Sequence, residues 1–209
     1  MIKTSKTKSV VLLGLLSAVV MVFSFTPIGS IPIGPLVISL NVIPVAIAAV
    51  ALGPVGGAVI GGVFGLFSFL QCFGIGIPSA MGAALLEINP FLCFVQRFFP
   101  RLIDGLLVGF IFRLIARPKN VYITSGIAGL LTAFFNTAFF MYTLVFLFGK
   151  TEYMQEKING QSIIGFIVAF VGVNAVTEMI AATIVTAAVS FALYKAKLIQ
   201  IPSDNELKS

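Results

Sequence analysis

Long apolar stretches dominate the chain, and short segments rich in polar residues, glycine or proline separate them. A helix that crosses the hydrocarbon core of a bilayer needs about 20 consecutive apolar residues. Several stretches reach or approach this length. They predict an all-α integral membrane protein with transmembrane helices within Val10 to Phe25, Asn41 to Phe73, Phe91 to Ala116, Val121 to Phe148 and Ile163 to Ala196.

The second stretch is too long for a single span, and it contains Gly53 followed by Pro54. Proline disrupts a helix interior, and a Gly-Pro pair marks a turn. We therefore interpret this stretch as two spans joined by a tight turn. The sequence predicts six transmembrane helices in one domain, residues 1–200, followed by a short cytoplasmic tail, residues 201–209.

The composition favours lipid as the surrounding solvent. Hydrophobic residues make up 59% and charged residues 10% of the chain, and the mean hydropathy is +1.12. Soluble domains carry about 25% charged residues. Because histidine is absent and only 7 residues are acidic, little remains for acid–base catalysis or metal ligation. We expect no enzyme activity, and we expect Cys72 and Cys93 to be buried as small hydrophobic residues rather than joined in a disulfide.

The basic residues predict the orientation of the helices. With six spans, most Lys and Arg residues fall on one side, which by the positive-inside rule is the cytoplasm. These residues are Lys3, Lys6, Lys8, Arg113, Arg117, Lys119, Lys195, Lys197 and Lys208. Both termini are then cytoplasmic, and the protein lies in the cell membrane. The same distribution argues against nucleic-acid binding as the explanation for the net charge of +6.

Three longer connections, residues 28–40, 74–90 and 149–162, are predicted on the outer side. They retain apolar residues that need a packing surface, including Ile31, Leu36, Met81 and Leu85. Long loops gathered on one face of a bundle are typical of a lid or a binding mouth. We therefore expect the outer loops to form a lid.

Four charged residues fall inside predicted spans: Arg97, Arg101 and Asp104 in the fourth, and Glu178 in the sixth. Such residues are costly in lipid and usually face a protein interior or a cavity. Asp104 follows Arg101 by three residues and can pair with it. Arg97 has two alternatives, a structural ion pair with Glu178 or contact with a ligand anion, for which its planar guanidinium is suited.

Amides and small residues form two further patterns within the spans. The amides of Gln96, Asn136 and Asn174 fit hydrogen bonds between helices, a polar pocket for a ligand, or both. Gly14 and Ala18 are four residues apart in the first span, and glycines recur at the same interval from Gly53 to Gly65. Such faces let helices approach closely, either within the protein or at a docking face for another membrane subunit. The glycine-rich segment lacks the lysine of a phosphate-binding loop.

The run from Ile31 to Leu70 reads IPIGPLVISLNVIPVAIAAVALGPVGGAVIGGVFGLFSFL. It resembles the substrate-binding S components of energy-coupling factor (ECF) vitamin transporters, which show similar Ile-Pro-Val, Leu-Gly-Pro and Phe-Gly motifs in this order. Further matches are Asn89-Pro90, Pro100-Arg101, Asn136-Thr137, and Asn174 with Glu178.

This resemblance implies a protein that binds a water-soluble vitamin from outside, and the chain is most similar to pantothenate-type members. It implies that a membrane coupling subunit and two cytoplasmic ATPase subunits are the partners, and that these subunits use the ATP, so the chain needs no cofactor. Gly14 and Ala18 would face the coupling subunit. From the polar residues of the spans and this resemblance together, we expect substrate-binding residues at Arg97, Asn136, Asn174, Gln96, Asn89 and Glu178.

Other functions remain open from the sequence. The chain fits an S component for a different vitamin, such as riboflavin, folate, pyridoxine or cobalamin. It also fits a stand-alone secondary transporter in which Glu178 carries the coupled ion, although no clear inverted repeat supports that alternative. A scaffold protein without transport activity would not need Arg97 and Asn174 to face a cavity.

Overall fold

The computed structural model describes residues 6–33, 36–160 and 162–199, and most of them are helical. Short 3-10 turns lie at Gln71–Phe73 and Pro118–Asn120. The predicted tail, residues 201–209, lies outside the described residues. The elements are α1 (Lys6–Phe25), β1 (Ser30–Ile33), β2 (Leu36–Ser39), α2 (Val42–Leu70), α3 (Ala80–Ile88), α4 (Pro90–Ile115), α5 (Val121–Phe148), α6 (Glu152–Ile158) and α7 (Ile163–Lys195).

The long helices identify a multi-pass membrane protein. By length and apolar composition, helices within Lys6–Phe25, Val42–Phe73, Pro118–Phe148 and Asn174–Lys195 can each cross a membrane. α4 is of similar length but carries four charged residues, namely Arg97, Arg101, Asp104 and Arg113. Its charge separates it from the other long helices and marks it as the helix that carries polar chemistry.

The chain reverses direction at Gly53, in the middle of α2. This residue has φ 75° and ψ −160°, a conformation that is essentially restricted to glycine. A Cβ atom built on Gly57 would lie 3.1 Å from the Cβ atom of Ala49, although eight residues of a straight helix span about 12 Å. Residues 42–52 and 54–70 are therefore two antiparallel arms, and the predicted break at Gly53-Pro54 is confirmed.

The second arm of α2 packs against α4 with its backbone nearly in contact. A Cβ atom on Gly57 would strike the carbonyl oxygen of Gly105, and one on Gly61 would strike the carbonyl oxygen of Arg101. Only glycine permits so close an approach. Of the two explanations for the glycines of α2, internal packing is therefore the correct one.

The first arm of α2 fills the centre of the bundle. Residues 42–51 are all buried. Several residues between Val42 and Ala48 share a core cluster with Leu16 and Val20 of α1, Ala133 of α5 and Ala182 of α7. α5 and α7 meet closely as well, because a Cβ atom on Gly129 would strike the carbonyl oxygen of Ala182.

Three short segments cover one end of the bundle, here called the capped end: the β1–β2 hairpin, α3 and α6. The strands are antiparallel, with Ser30 opposite Ser39. Met81 and Leu85 of α3 and Met154 of α6 are buried in one cluster with residues of α4, α5 and α7. The prediction that Met81 and Leu85 need a packing surface is therefore confirmed.

The capped end also corrects one expectation. The connections predicted as loops contain α3, α6 and a short two-stranded hairpin, within a fold that is otherwise helical as predicted. Apolar residues in these connections pack on the bundle, which favours local structure over an open loop. The side chains of Ile31 and Leu36 lie outside those that the structure describes.

The opposite end of the bundle, here called the basic end, contains the Gly53 reversal. The Arg113 guanidinium lies against this turn, and Ile199 packs there with Ala116 and Val121. Lys3 and Lys208 lie outside the described residues. The antiparallel helices bring together Lys6, Lys8, Arg113, Arg117, Lys119, Lys195 and Lys197 at this end.

A methyl group added at Gly57 should destabilise the fold, because it would strike the carbonyl oxygen of Gly105. We expect Gly57→Ala to lower the free energy of unfolding by about 1–3 kcal/mol, measured by denaturant titration in mild detergent. Gly62→Ala is the matched control on the same arm, because its nearest contact would be an ordinary 3.5 Å to the Phe98 ring. Equal stability of the two variants would contradict the proposed contact.

Candidate functional site

α4 directs its polar residues toward the interior because the glycine contacts with α2 fix the rotation of this helix. Arg97, Arg101 and Asp104 are exposed by 6%, 6% and 2%. Burying ionisable groups costs several kcal/mol unless polar partners compensate. Their partners therefore indicate what the site is built to do.

Arg101 is held between two aromatic rings. Its Cζ atom lies 4.5 Å from the ring centroid of Phe64 and 5.3 Å from that of Phe140, which is within cation–π range. Nη1 donates a hydrogen bond to the carbonyl oxygen of Arg97 at 2.8 Å. A guanidinium has five N–H donors, and Nε of Arg101 is buried with no partner among the described residues.

Arg97 links the site to the capped end. Its Nη2 donates to Oγ of Ser79 at 3.2 Å, and its Cζ lies 5.2 Å from the Phe140 ring centroid. Ser79 caps the N-terminus of α3, because its Oγ also accepts from the Gly82 amide at 3.1 Å. Nε of Arg97 is buried and lacks a partner within the described ranges. Both arginines are thus fixed in place, and each keeps an N–H donor that is unpaired among the described residues.

α6 also approaches this site from the capped end. Burial raises the pKa of the Tyr153 phenol above its usual value near 10, and the Arg97 guanidinium opposes this rise. Met154 and Ile158 of the same helix are buried. The short helix therefore lies near the first turns of α4 and brings a phenol within electrostatic range of Arg97.

Glu178 joins α7 to the β-hairpin. Its Oε1 accepts a hydrogen bond from the Ser39 backbone amide at 2.7 Å, and the residue is 6% exposed. Arg101 lies within electrostatic range of this carboxyl group. A hydrogen bond to a charged group contributes about 1.5–3 kcal/mol, so this contact is a substantial restraint on the hairpin.

Two expected ion pairs are absent from the described part of the chain. Arg97 does not pair with Glu178, because it contacts Ser79 and Phe140 instead. Arg101 interacts with Asp104 only at longer range and contacts the Arg97 carbonyl directly. Of the alternatives considered for Arg97, the structural ion pair is wrong, while ligand contact stays a prediction.

The amides supply further unpaired polar atoms. Gln96 is fully buried, and neither atom of its amide group is hydrogen bonded in the described structure. Oδ1 of Asn136 is also buried without a hydrogen-bond partner there. Asn136 lies one helical turn before Phe140, on the side of α5 that reaches the arginines. Asn174 is half-buried on α7, one turn before Glu178. Buried polar groups without partners are rare in native proteins, and unoccupied ligand sites are one reason for them.

Asn89 and the small residues of α1 occupy different places. Asn89 Oδ1 accepts from the Leu92 amide at 3.0 Å and caps the N-terminus of α4, so that oxygen has a structural role. Gly14 and Ala18 are exposed on α1, and a Cβ atom on Gly14 would meet nothing within 4 Å. They are therefore not an internal packing face.

A separate groove of about 540 Å³ lies between α5 and α7. Phe134, Tyr142 and Phe146 in its wall are exposed on the lipid side. Its described lining contains no charged residue and none of the predicted substrate-binding residues. An apolar groove that opens toward lipid does not fit a water-soluble anion.

The chain was also compared with known proteins. The sequence profile of the family described as "ECF transporter, substrate-specific component" matches residues 8–190. This chain belongs to that family. Its members are the substrate-specific parts of transporters, which agrees with a buried polar site in a membrane bundle.

This substrate-specific component also has a more specific relative. It is 29% identical over 136 residues to the protein named pantothenate transporter PanT of Leuconostoc mesenteroides subsp. mesenteroides. The alignment covers 64% of this chain and 63% of the relative, which is less than two thirds of the relative's length. The similarity therefore agrees with membership of the family.

The sequence pattern of this substrate-specific component did not indicate that Ser39, Ser79, Phe64 and Phe140 contribute to the site. Ser79 precedes an apolar segment and has the signature of a helix cap, but its contact with Arg97 depends on how α3 folds back. The two phenylalanines do not stand out in a chain with 21 Phe residues. These contacts bridge distant segments and carry no local signal.

Removing the Glu178 carboxylate should loosen the β-hairpin of this substrate-specific component. We expect Glu178→Ala to accelerate hydrogen exchange at the Ser39 amide by about tenfold or more, because a bond worth about 1.5–3 kcal/mol is lost. Hydrogen–deuterium exchange of the peptide containing Ser39 measures this effect. Glu178→Gln keeps an acceptor oxygen and should show a smaller increase, whereas equal exchange in Glu178→Ala and the parent protein would exclude the restraint.

Proposed function

We propose that this substrate-specific component binds pantothenate and delivers it to an ECF-type ATP-driven importer. The observation that supports this proposal is the pair of buried guanidiniums, Arg97 and Arg101, each held in place with unused donors. Two fixed cations in an apolar bundle form a strong site for a carboxylate. The named relative supports the choice of vitamin.

Pantothenate offers a carboxylate, an amide and hydroxyl groups, and the site offers a matching partner for each. Arg97 is proposed to bind the carboxylate. The unpaired polar atoms of Gln96 and Asn136 can accept from or donate to the amide and hydroxyl groups, as can Asn174. Glu178 is proposed to contribute through its restraint on the hairpin as well as by contact with a hydroxyl group.

The proposed topology has six transmembrane helices and cytoplasmic termini. The two arms of α2 count as separate spans, and α1, α4, α5 and α7 supply the others. The grouping of Lys and Arg at the basic end supports a cytoplasmic location for that end. The capped end would then face outward in a bacterial plasma membrane, where the hairpin, α3 and α6 cover the vitamin site.

The proposed energy source lies in partner proteins, a membrane coupling subunit and two cytoplasmic ATPase subunits. The chain itself is proposed to work without a cofactor. α1 is the proposed docking helix because Gly14 and Ala18 lie on its exposed face, along with Val11 and Val22. Small residues on a lipid-facing helix surface allow a partner helix to approach closely.

Substitution of Arg97 tests the ligand site. We expect Arg97→Ala to weaken pantothenate binding by about 10- to 150-fold, since it removes a charge-assisted contact of about 1.5–3 kcal/mol. Calorimetric titration of the protein in mild detergent measures the affinity. Arg113→Ala is the control, because Arg113 lies exposed at the other end of the same helix.

Mass spectrometry of small molecules that copurify with the protein complements this titration. Unchanged affinity in a folded Arg97→Ala variant would remove Arg97 from the site. A different vitamin in the extract would keep the transporter family and replace pantothenate. Failure to bind any vitamin would overturn the proposed substrate class.

Enlarging the small residues of α1 tests the docking face. We expect Gly14→Leu and Ala18→Leu to prevent copurification with the coupling subunit while leaving pantothenate affinity unchanged, because these side chains face away from the bundle. Gly14→Ala and Ala18→Gly keep the surface small and should retain the complex. Retention of the complex in both leucine variants would locate the docking face elsewhere.

A further inference from the structure

Two free thiols meet beneath α3 at the capped end. Cys72 lies in the turn after α2 and Cys93 in the first turn of α4, and both are buried. Their Sγ atoms are 3.7 Å apart. A disulfide has an S–S distance of about 2.05 Å, so a small adjustment of the side chains brings the two sulfurs into bonding distance.

A guanidinium lies beside the thiol pair. A Cβ atom on Gly82 would lie 2.6 Å from Cys72 Sγ and 3.0 Å from Arg97 Nη2, so the sulfur and the guanidinium contact the same glycine. Arg97 also interacts electrostatically with both thiols. A neighbouring cation stabilises the thiolate, which is the nucleophilic form of cysteine.

Polar contacts also orient the two sulfurs. Cys72 Sγ lies 3.5 Å from the Ser68 carbonyl oxygen, and Cys93 Sγ lies 3.8 Å from the Gly82 carbonyl oxygen. Each thiol therefore has an acceptor for its weak S–H donor. The Gly82 carbonyl belongs to α3. The thiol pair therefore contacts α3, and Ser79, which caps the N-terminus of this helix, contacts Arg97.

We propose that Cys72 and Cys93 form a redox-modification site, at which hydrogen peroxide reaching the capped end converts the two thiols into an intramolecular disulfide that restrains α3. The outward location of the capped end rests on the proposed function. The chemistry and the restraint depend only on the positions of the two sulfurs, α3 and Arg97.

The reaction proceeds in two balanced steps. The Cys72 thiolate attacks one peroxide oxygen, the O–O bond breaks, and a proton converts the departing hydroxide into water, which leaves a sulfenic acid on Cys72. The Cys93 thiol then attacks this sulfur, the S–OH bond breaks, and the proton of the Cys93 thiol combines with the departing hydroxide to form a second water. Together, two thiols and one peroxide give one disulfide and two waters, with the sulfurs oxidised and the peroxide reduced.

The disulfide would close a loop that contains all of α3. It would join the end of α2 to the start of α4, and the residues between them would lose freedom to move apart. Gly82 already contacts Cys72 and Arg97, so the cross-link would hold α3 against the guanidinium. Oxidation is therefore expected to slow local opening of α3.

Peroxide treatment of the full chain in lipid nanodiscs tests the modification. In the reduced protein we expect peroxide to produce a Cys72–Cys93 disulfide within one chain, identified by peptide mass spectrometry and reversed by dithiothreitol. Cys72→Ser and Cys93→Ser should form no such cross-link. The thiols of the detergent-unfolded protein serve as the reference for intrinsic reactivity.

The outcomes separate a reactive pair from a passive packing contact. If both thiols survive peroxide doses that oxidise the unfolded reference, or if cross-links form only between chains, the proposal is wrong. Hydrogen exchange of residues 80–88 provides the second readout, and slower exchange in the oxidised form is expected. Unchanged exchange after complete oxidation would overturn the restraint on α3.

A pantothenate titration of the reduced protein is run in parallel. Lack of binding there would count against the proposed vitamin and leave the thiol measurements unaffected. Normal binding together with intact thiols would instead overturn the redox site and leave the proposed function in place.

Discussion

The near contact of backbones between the second arm of α2 and α4 is the constraint on which the rest of the structure depends. In lipid, apolar side chains gain little from burial against one another, so helices associate through close packing and polar contacts. Gly57 and Gly61 allow this packing against Gly105 and Arg101. The contact fixes the rotation of α4 and so determines that Arg97, Arg101 and Asp104 face the interior rather than lipid.

The capped end is coupled to this interior through polar groups from each of its segments. Ser39 of the hairpin donates to Glu178, Ser79 before α3 accepts from Arg97, and Tyr153 of α6 lies in the electrostatic field of Arg97. Displacement of any segment changes the hydrogen bonding or the field at a buried charge. The cover and the site therefore form one polar network, in which deletion of single contacts affects neighbouring groups.

The sequence was sufficient for features that depend on local pattern. Apolar length predicted the long helices, and Gly53-Pro54 predicted the reversal, because both signals reside in consecutive residues. The Glu178–Ser39 contact spans 139 positions, and nothing local marks it. The fold of residues 28–40 and 74–90 was missed for a related reason, since short apolar segments adopt strand or helix according to the surface that they meet. For the same reason, pairing of Arg97 with Glu178 was reasonable from charge alone and wrong in three dimensions.

The four buried charges also have an electrical consequence. The formal charges of Arg97, Arg101, Asp104 and Glu178 sum to zero, and a bound monovalent anion adds one negative charge to the site. Moving one charge across a membrane potential involves about 2.3 kcal/mol per 100 mV, and a negative cell interior opposes the inward passage of an anion. Uptake through such a site works against the voltage as well as against any concentration gradient, which an importer driven by ATP can sustain.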